Sequence, residues 1–125
     1  NVGTVHAIAH QLGGKYGLVH GVANSMALPH VLEFHRPQAE ARLAELALLI
    51  GVSSDGATRG QQAQDFIKAV DRLRAAVGIE PASAEIKAED FDYLAERAVN
   101  EATGYFAPRL LTDAAARSIL GKISA

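Results

Sequence analysis

Histidine is the residue type whose placement most directly suggests chemistry in this chain. All five histidines of the 125 residues lie between His6 and His35. His6 and His10 are four residues apart, a spacing that puts two side chains on one helix face, one turn apart. His20 follows after a glycine-containing stretch. Neutral imidazole is the commonest protein ligand for metals, and its pKa of about 6.5 also suits proton transfer. The pattern therefore indicates a divalent-metal site or a proton-transfer site.

The spacing of the histidines also leaves a structural role open. Two histidines four residues apart arise by chance, and a histidine on an apolar helix face is often a hydrogen-bonded core residue. The pattern differs from the HExxH zinc motif, because Ile8 occupies the centre and no glutamate is adjacent to either histidine. We interpret His30 and His35 as structural or surface residues.

A turn rich in glycine separates the first two histidines from the third and would bring His20 back towards His6. Imidazoles from two helices could then share one divalent ion. A catalytic site of this kind needs further protein ligands and an open position, yet residues 1–26 contain no Asp or Glu. Either the other ligands come from elsewhere, or there is no metal site.

The elements that must position these histidines are predicted to be helices. Residues that favour helices dominate, apolar residues recur at spacings of three and four, and alternating strand-like runs are missing. The sequence thus predicts an all-α bundle of about six helices with short connections. The predicted helices cover about 2–12, 20–34, 37–50, 61–77 and 88–102, with a sixth that follows the N-cap residue Thr112.

Glycine and proline set the expected ends of these helices. Gly13 and Gly14 should stop the first helix, Pro29 should kink or break the second, and Pro37 should open the third.

The residues predicted to face the core are Ala39, Leu43, Leu46, Ala47 and Ile50 in the third helix; Ala63, Phe66, Ile67, Val70, Leu73 and Val77 in the fourth; Phe91, Leu94, Ala95, Ala98, Val99 and Ala102 in the fifth; and Ile119, Leu120 and Ile123 in the sixth.

Composition excludes several functional classes. The formal net charge is −2 and the basic residues form no stripe, which argues against nucleic-acid binding. No apolar run approaches the roughly 20 residues that span a bilayer. The chain has no cysteine, which excludes disulfides and thiolate ligands and fits a cytoplasmic protein. Because the sequence begins at Asn1 rather than at methionine, we expect the chain to be processed or truncated.

Two stretches resemble the iron-containing (group III) alcohol dehydrogenases. They are HAIAHQLGG, which begins at His6, and HGVANSMALPHVLEF, which begins at His20. Together they are similar to the family pattern HxxAHxLGxxYxxPHGxANAxLLPxVxxFN, and APR at 107–109 followed by Thr112 is similar to the family's NPR and Thr. The resemblance covers essentially all 125 residues. Val19, where many members have proline, and His35, where asparagine is common, depart from it.

The resemblance implies a fold and a ligand set. Residues 1–125 would form the all-helical, dehydroquinate-synthase-like C-terminal domain, and an N-terminal α/β domain that binds NAD or NADP would precede them. Family members hold a divalent ion between the two domains with one Asp and three His. His6 and His20 match the last two of these histidines, and His10 matches a histidine near nicotinamide and substrate that serves in proton relay or positioning. Iron (Fe2+) is the implied metal, and Zn2+ is the alternative.

The resemblance also implies an activity for the complete protein. The enzyme would interconvert alcohols with aldehydes or ketones by hydride transfer to NAD(P), with the metal as Lewis acid. Its partners would be small-molecule substrates and further copies of itself in a homo-oligomer. The 125 residues alone should bind metal weakly, bind no NAD and be inactive. Two alternatives remain: a metal-free reductase of the maleylacetate type, whose HAETH differs from the HGVAN that begins at His20, and a non-catalytic helical interaction domain.

Overall fold

The computed structural model describes residues 3–125, and this part of the chain is all-helical. Its five α-helices pack as a bundle, and an isolated bridge joins Ser83 to Ser124. The helices are α1 (Thr4–Tyr16), α2 (His20–Leu49), α3 (Arg59–Ala76), α4 (Phe91–Ala102), which a 3₁₀ turn (Ala88–Asp90) precedes, and α5 (Asp113–Ile123). The all-α class is confirmed, whereas Val2, at the start of the first predicted helix, lies outside the described residues. No helix within 3–125 is both long and apolar enough to cross a membrane.

The prediction of six helices was wrong because the second and third are one. Helix α2 runs for 30 residues, with Pro29 and Pro37 inside it. An interior proline costs about 3 kcal/mol or more through a lost hydrogen bond and a clash with the preceding turn. For Pro29, which is buried, packing of α2 against α1, α3 and α5 offsets that cost, whereas Pro37 is exposed. Neither proline is adjacent to a glycine or asparagine that would favour a turn.

The end of α1 also differs from the prediction. The helix continues through Gly13 and Gly14 to Tyr16 and ends at Gly17, whose φ of 69° is left-handed. The Tyr16 hydroxyl donates to Asp90 at 2.8 Å, and this contact holds the last turn of α1 against the 3₁₀ turn. The chain therefore reverses over three residues, 17–19, and α2 begins beside the end of α1.

The main core lies where α1 packs against α2 and α4, and where α5 closes the bundle against α2 and α4. The inward faces predicted for the last two helices are confirmed. Small side chains are frequent in this core, and they let the helix axes approach closely. Its fully buried residues include Ala7, Ile8, Leu12, Ala23, Met26, Leu94, Ala95, Ala98, Ile119, Leu120 and Ile123.

The apolar stripes of α3 and of the second half of α2 are only partly buried. A separate small core joins the two helices through Leu43, Ala63 and Ile67. Predicted core residues beyond it are exposed: Leu46 and Ile50 at the end of α2, and Leu73 and Val77, which are 64% and 63% exposed. The reason is that α3 packs chiefly against α2, and a pair of helices can bury only one stripe on each.

Replacing Leu12 by alanine should test the position of the main core. Leu12 is 0% exposed, and truncating a buried leucine costs about 2–5 kcal/mol through lost burial and the cavity left behind. We expect a clear fall in the urea midpoint followed by circular dichroism. Leu49→Ala is the matched control, because Leu49 is 80% exposed and should change the free energy of unfolding by less than about 0.5 kcal/mol. Equal falls in the urea midpoint for the two substitutions would mean that Leu12 does not lie in the main core.

Candidate metal centre

Three histidine side chains meet where α1 and α2 adjoin. His6 and His10 lie one turn apart on α1, and His20 is the first residue of α2. The His6 and His20 ring centroids are 5.2 Å apart. The His10 centroid lies 5.6 Å from His6 and 5.6 Å from His20. The three candidate site residues from the sequence are therefore brought together, although they come from two helices.

The short turn before α2 explains this convergence. Gly17 takes the left-handed conformation that only glycine adopts without strain. Val19 occupies a position where many members of the iron-containing alcohol dehydrogenase family have proline. Its φ of −58° lies within the range that proline imposes. The departure at Val19 therefore leaves the backbone in the conformation that proline would favour.

The separation of the His6 and His20 rings fits a pair of metal ligands. Two imidazoles that ligate one tetrahedral ion at about 2.0 Å would have ring centroids about 5 Å apart, and the observed distance is 5.2 Å. Within residues 3–125, however, no group of three or more His, Cys, Asp or Glu side chains is arranged to hold a metal ion. His6 and His20 are thus two candidate ligands, and a metal site here would need further ligands.

Asn24 contacts the His20 ring one turn further along α2. Its amide nitrogen donates to His20 Nε2 at 3.0 Å and to the His20 carbonyl at 2.9 Å. Its amide oxygen is buried and has no hydrogen-bond partner in the described protein. A buried acceptor without a partner costs about 1–3 kcal/mol. The hydrogen-bonding capacity of Asn24 is therefore not fully met by the described residues.

His10 is paired with a carboxylate that sequence reasoning missed. Its Nδ1 lies 2.7 Å from Glu101 Oε1, and the Gln11 amide donates to Glu101 Oε2 at 2.9 Å. The Tyr105 hydroxyl donates to Oε1 at 3.1 Å. Burial, together with this bond and the carboxylate charge, raises the pKa of Tyr105, so the phenol stays protonated as a donor. No local signal could have found it, because Glu101 is 91 residues from His10 in the sequence.

His30 and His35 have other neighbours. His35 Nε2 lies 3.3 Å from the Thr4 hydroxyl, and His30 lies beside Glu33 and Lys122 at the contact with α5. Burial lowers the pKa of both rings below the ordinary histidine value, so both are neutral at pH 7. His30 thus lies at a helix contact, whereas His35 also lines an apolar cleft together with His6.

Two clefts flank the three histidines. One, of about 390 Å³, is mostly apolar and is lined by residues that include His6, Asn24, Leu28 and Phe106. The other, of about 370 Å³, is polar and is lined by Gln11, Arg97, Asn100 and Glu101. The centre therefore has an apolar side near His6 and a polar side near the partner of His10.

Comparison with known proteins identifies the family to which the chain belongs. Residues 1–124 match the model of the Fe-containing alcohol dehydrogenase family, C-terminal. The chain is 39% identical over 111 residues to 1,3-propanediol dehydrogenase of Citrobacter freundii, which covers 87% of this chain and 29% of that protein. It is 42% identical over 106 residues to alcohol dehydrogenase 4 of Saccharomyces cerevisiae (strain ATCC 204508 / S288c), which covers 82% of this chain and 26% of that one.

Solved structures share the fold closely. A crystal structure of 1,3-propanediol oxidoreductase superimposes with a TM-score of 0.92 at 34% identity, and covers 98% of this chain and 33% of that one. An alcohol dehydrogenase from Oenococcus oeni gives 0.89 at 38% identity, with the same coverage of 98% and 33%. The chain belongs to the Fe-containing alcohol dehydrogenase family and matches its C-terminal region. It spans a third or less of the length of these relatives.

Proposed function

We propose that these residues are the helical, metal-binding part of an NAD(P)-linked alcohol dehydrogenase. The observation that carries the proposal is the convergence of His6 and His20, with ring centroids 5.2 Å apart, in a chain of this family. Relatives are named for propanediol, alcohol and lactaldehyde chemistry. The substrates we propose are accordingly small alcohols and their aldehydes or ketones.

His6 and His20 are the residues that would hold the divalent ion, with the remaining ligands supplied by sequence outside the chain. Fe2+ is the ion the family name implies, and Zn2+ is the alternative, because imidazole accepts both. When bound, such an ion polarises the substrate oxygen as a Lewis acid. NAD or NADP, the acceptor of the hydride, would be bound mainly outside these residues.

The chain's other residues supply orientation and proton handling. The apolar cleft beside His6 would accept the carbon skeleton of a small alcohol and exclude water from it. The His10 ring centroid lies 5.6 Å from the ring centroids of both proposed ligands, His6 and His20. Because Glu101 engages His10 Nδ1, the other ring nitrogen, Nε2, is the one that would take up or return the hydroxyl proton.

A metal-free reductase of the maleylacetate type is the second candidate. It is favoured by one observation, the hydrogen bond from Asn24 to His20 Nε2, which satisfies this nitrogen without a cation. The HGVAN sequence at 20–24 favours the metal-dependent enzyme instead.

The two candidates differ in their response to a chelator. We expect the longer protein that carries these residues to be purified with divalent metal and to reduce NAD(P) in the presence of small primary alcohols. Prolonged chelation should abolish turnover, and Fe2+ or Zn2+ should restore it. The measurements are elemental analysis and NAD(P)H absorbance. The 125 residues alone are the control and should neither bind NADH nor turn over alcohol. Undiminished turnover by metal-free protein would favour the maleylacetate-type reductase.

A further inference from the structure

Glu101 is held by hydrogen bonds on both of its carboxylate oxygens. Oε1 accepts from the Tyr105 hydroxyl and lies 2.7 Å from His10 Nδ1, and Oε2 accepts from the Gln11 amide. These partners come from α1 and from the segment after α4. A carboxylate bonded on both oxygens by groups from two elements has one preferred orientation. Glu101 therefore presents a fixed acceptor to the His10 ring.

This contact determines which nitrogen of His10 carries the hydrogen. A neutral imidazole has one N–H donor and one acceptor nitrogen, and an ionised carboxylate can only accept. The short contact to Glu101 Oε1 therefore places the hydrogen on Nδ1. The lone pair is left on Nε2, on the opposite side of the ring.

A purely structural role would be a weak explanation for this arrangement. The His10 and Glu101 side chains are 39% and 28% exposed, and ion pairs with this much solvent access contribute little to stability. Three converging donors are more than such a pair requires. The same network does control the orientation of His10, which lies 5.6 Å by ring centroids from each proposed metal ligand.

We propose that Glu101 is a positioning residue for the reaction. It holds His10 in the Nδ1–H tautomer and directs the Nε2 lone pair to the reacting hydroxyl, and Tyr105 and Gln11 fix Glu101 in turn. This inference rests on the proposed function, because the tautomer matters to turnover only if His10 acts on a bound substrate. Outer partners of metal-ligating histidines are worth about 10- to 100-fold in activity, and we expect an effect of this size for the partner of His10.

Glu101→Gln is the discriminating substitution. The side chain keeps its shape, but a neutral amide has one oxygen for three donors, so His10 meets an N–H₂ group or loses its partner. In the zinc-loaded longer enzyme, kcat should fall about 10- to 100-fold, while metal content, melting temperature and KM stay close to those of the unmodified enzyme. The ¹⁵N shifts of labelled His10, recorded at alkaline pH, should change from the Nδ1–H to the Nε2–H pattern.

Two further variants complete the experiment. Glu101→Asp keeps the carboxylate and should retain the Nδ1–H tautomer and most of the turnover. Glu96→Gln, at an exposed glutamate on the same helix, should change nothing. An unchanged His10 tautomer in Glu101→Gln, or loss of metal or melting temperature in proportion to turnover, would overturn the positioning role. Should the unmodified enzyme prove inactive or metal-independent, the proposed function fails, and the ¹⁵N shifts still decide whether Glu101 sets the tautomer.

Discussion

In the longer enzyme that we propose, the His20→Ala variant is expected to lose most of its divalent metal. His20 would provide one of the two imidazoles that this chain contributes to the proposed metal site. Its ring centroid lies 5.2 Å from that of His6, the other proposed ligand. Removing a residue that hydrogen-bonds a metal ligand already weakens metal binding about 10- to 100-fold. Removing the ligand itself should therefore weaken metal binding by more than about 100-fold. The measurement is elemental analysis after dialysis against a competing chelator.

A second histidine in the same helix provides the control for this substitution. His30 lies on α2 beside Glu33 and Lys122, and His30→Gln should retain the metal of the unmodified enzyme. Equal retention in both variants would mean that His20 is not a ligand. A fall in both would point to loss of α2 packing instead.

The His10→Ala variant should show the opposite pattern, with metal retained and turnover strongly reduced. Removing a group that transfers a proton in the transition state typically costs about 10²- to 10⁴-fold, so we expect a fall of this size in kcat for alcohol oxidation. His10 also stacks on His20 at an interplanar angle of 25°, so the alanine variant removes a neighbour of a proposed ligand. His10→Phe keeps a ring in this stack and should be equally slow.

The kinetics and the metal analysis together decide the role of His10. Stopped-flow measurement of NAD(P)H formation gives kcat, and elemental analysis of the same samples gives metal occupancy. If both variants turn over at the rate of the unmodified enzyme, His10 handles no proton. If turnover falls only in proportion to metal, His10 acts as a ligand or as packing for one.

Much of the fold could be predicted, because helical periodicity is a local property of the sequence. The faces of α4 and α5 follow from spacings of three and four, and Thr112 caps α5 as expected by accepting from the Ala115 N–H. The continuity of α2 through Pro29 could not be predicted, since it depends on burial against other helices. The exposure of Leu73 and Val77 likewise reflects how many neighbours α3 has, which its own periodicity does not specify.

The candidate metal centre could likewise be predicted only in part. His6, His10 and His20 lie close together in one stretch of sequence, and the resemblance of that stretch to the family pattern carried the prediction, which the histidine spacing alone left open. Glu101 is 91 residues away from His10, on a helix whose register against α1 is set by packing. Nothing in the residues around Glu101 distinguishes it from Glu96, which is exposed on the same helix. Only the tertiary structure selects the glutamate that reaches His10.

The three-residue reversal at 17–19 has a consequence for the order of assembly. Contacts between residues close in sequence incur little loop-closure entropy and form early in folding, whereas distant contacts form late. His6 and His20 are joined by one such local hairpin of helices, so these rings should come together while the rest of the bundle is still forming. The pairing of His10 with Glu101 requires α4 to dock, so we expect the proposed metal-binding pair to form before the proposed proton-handling pair.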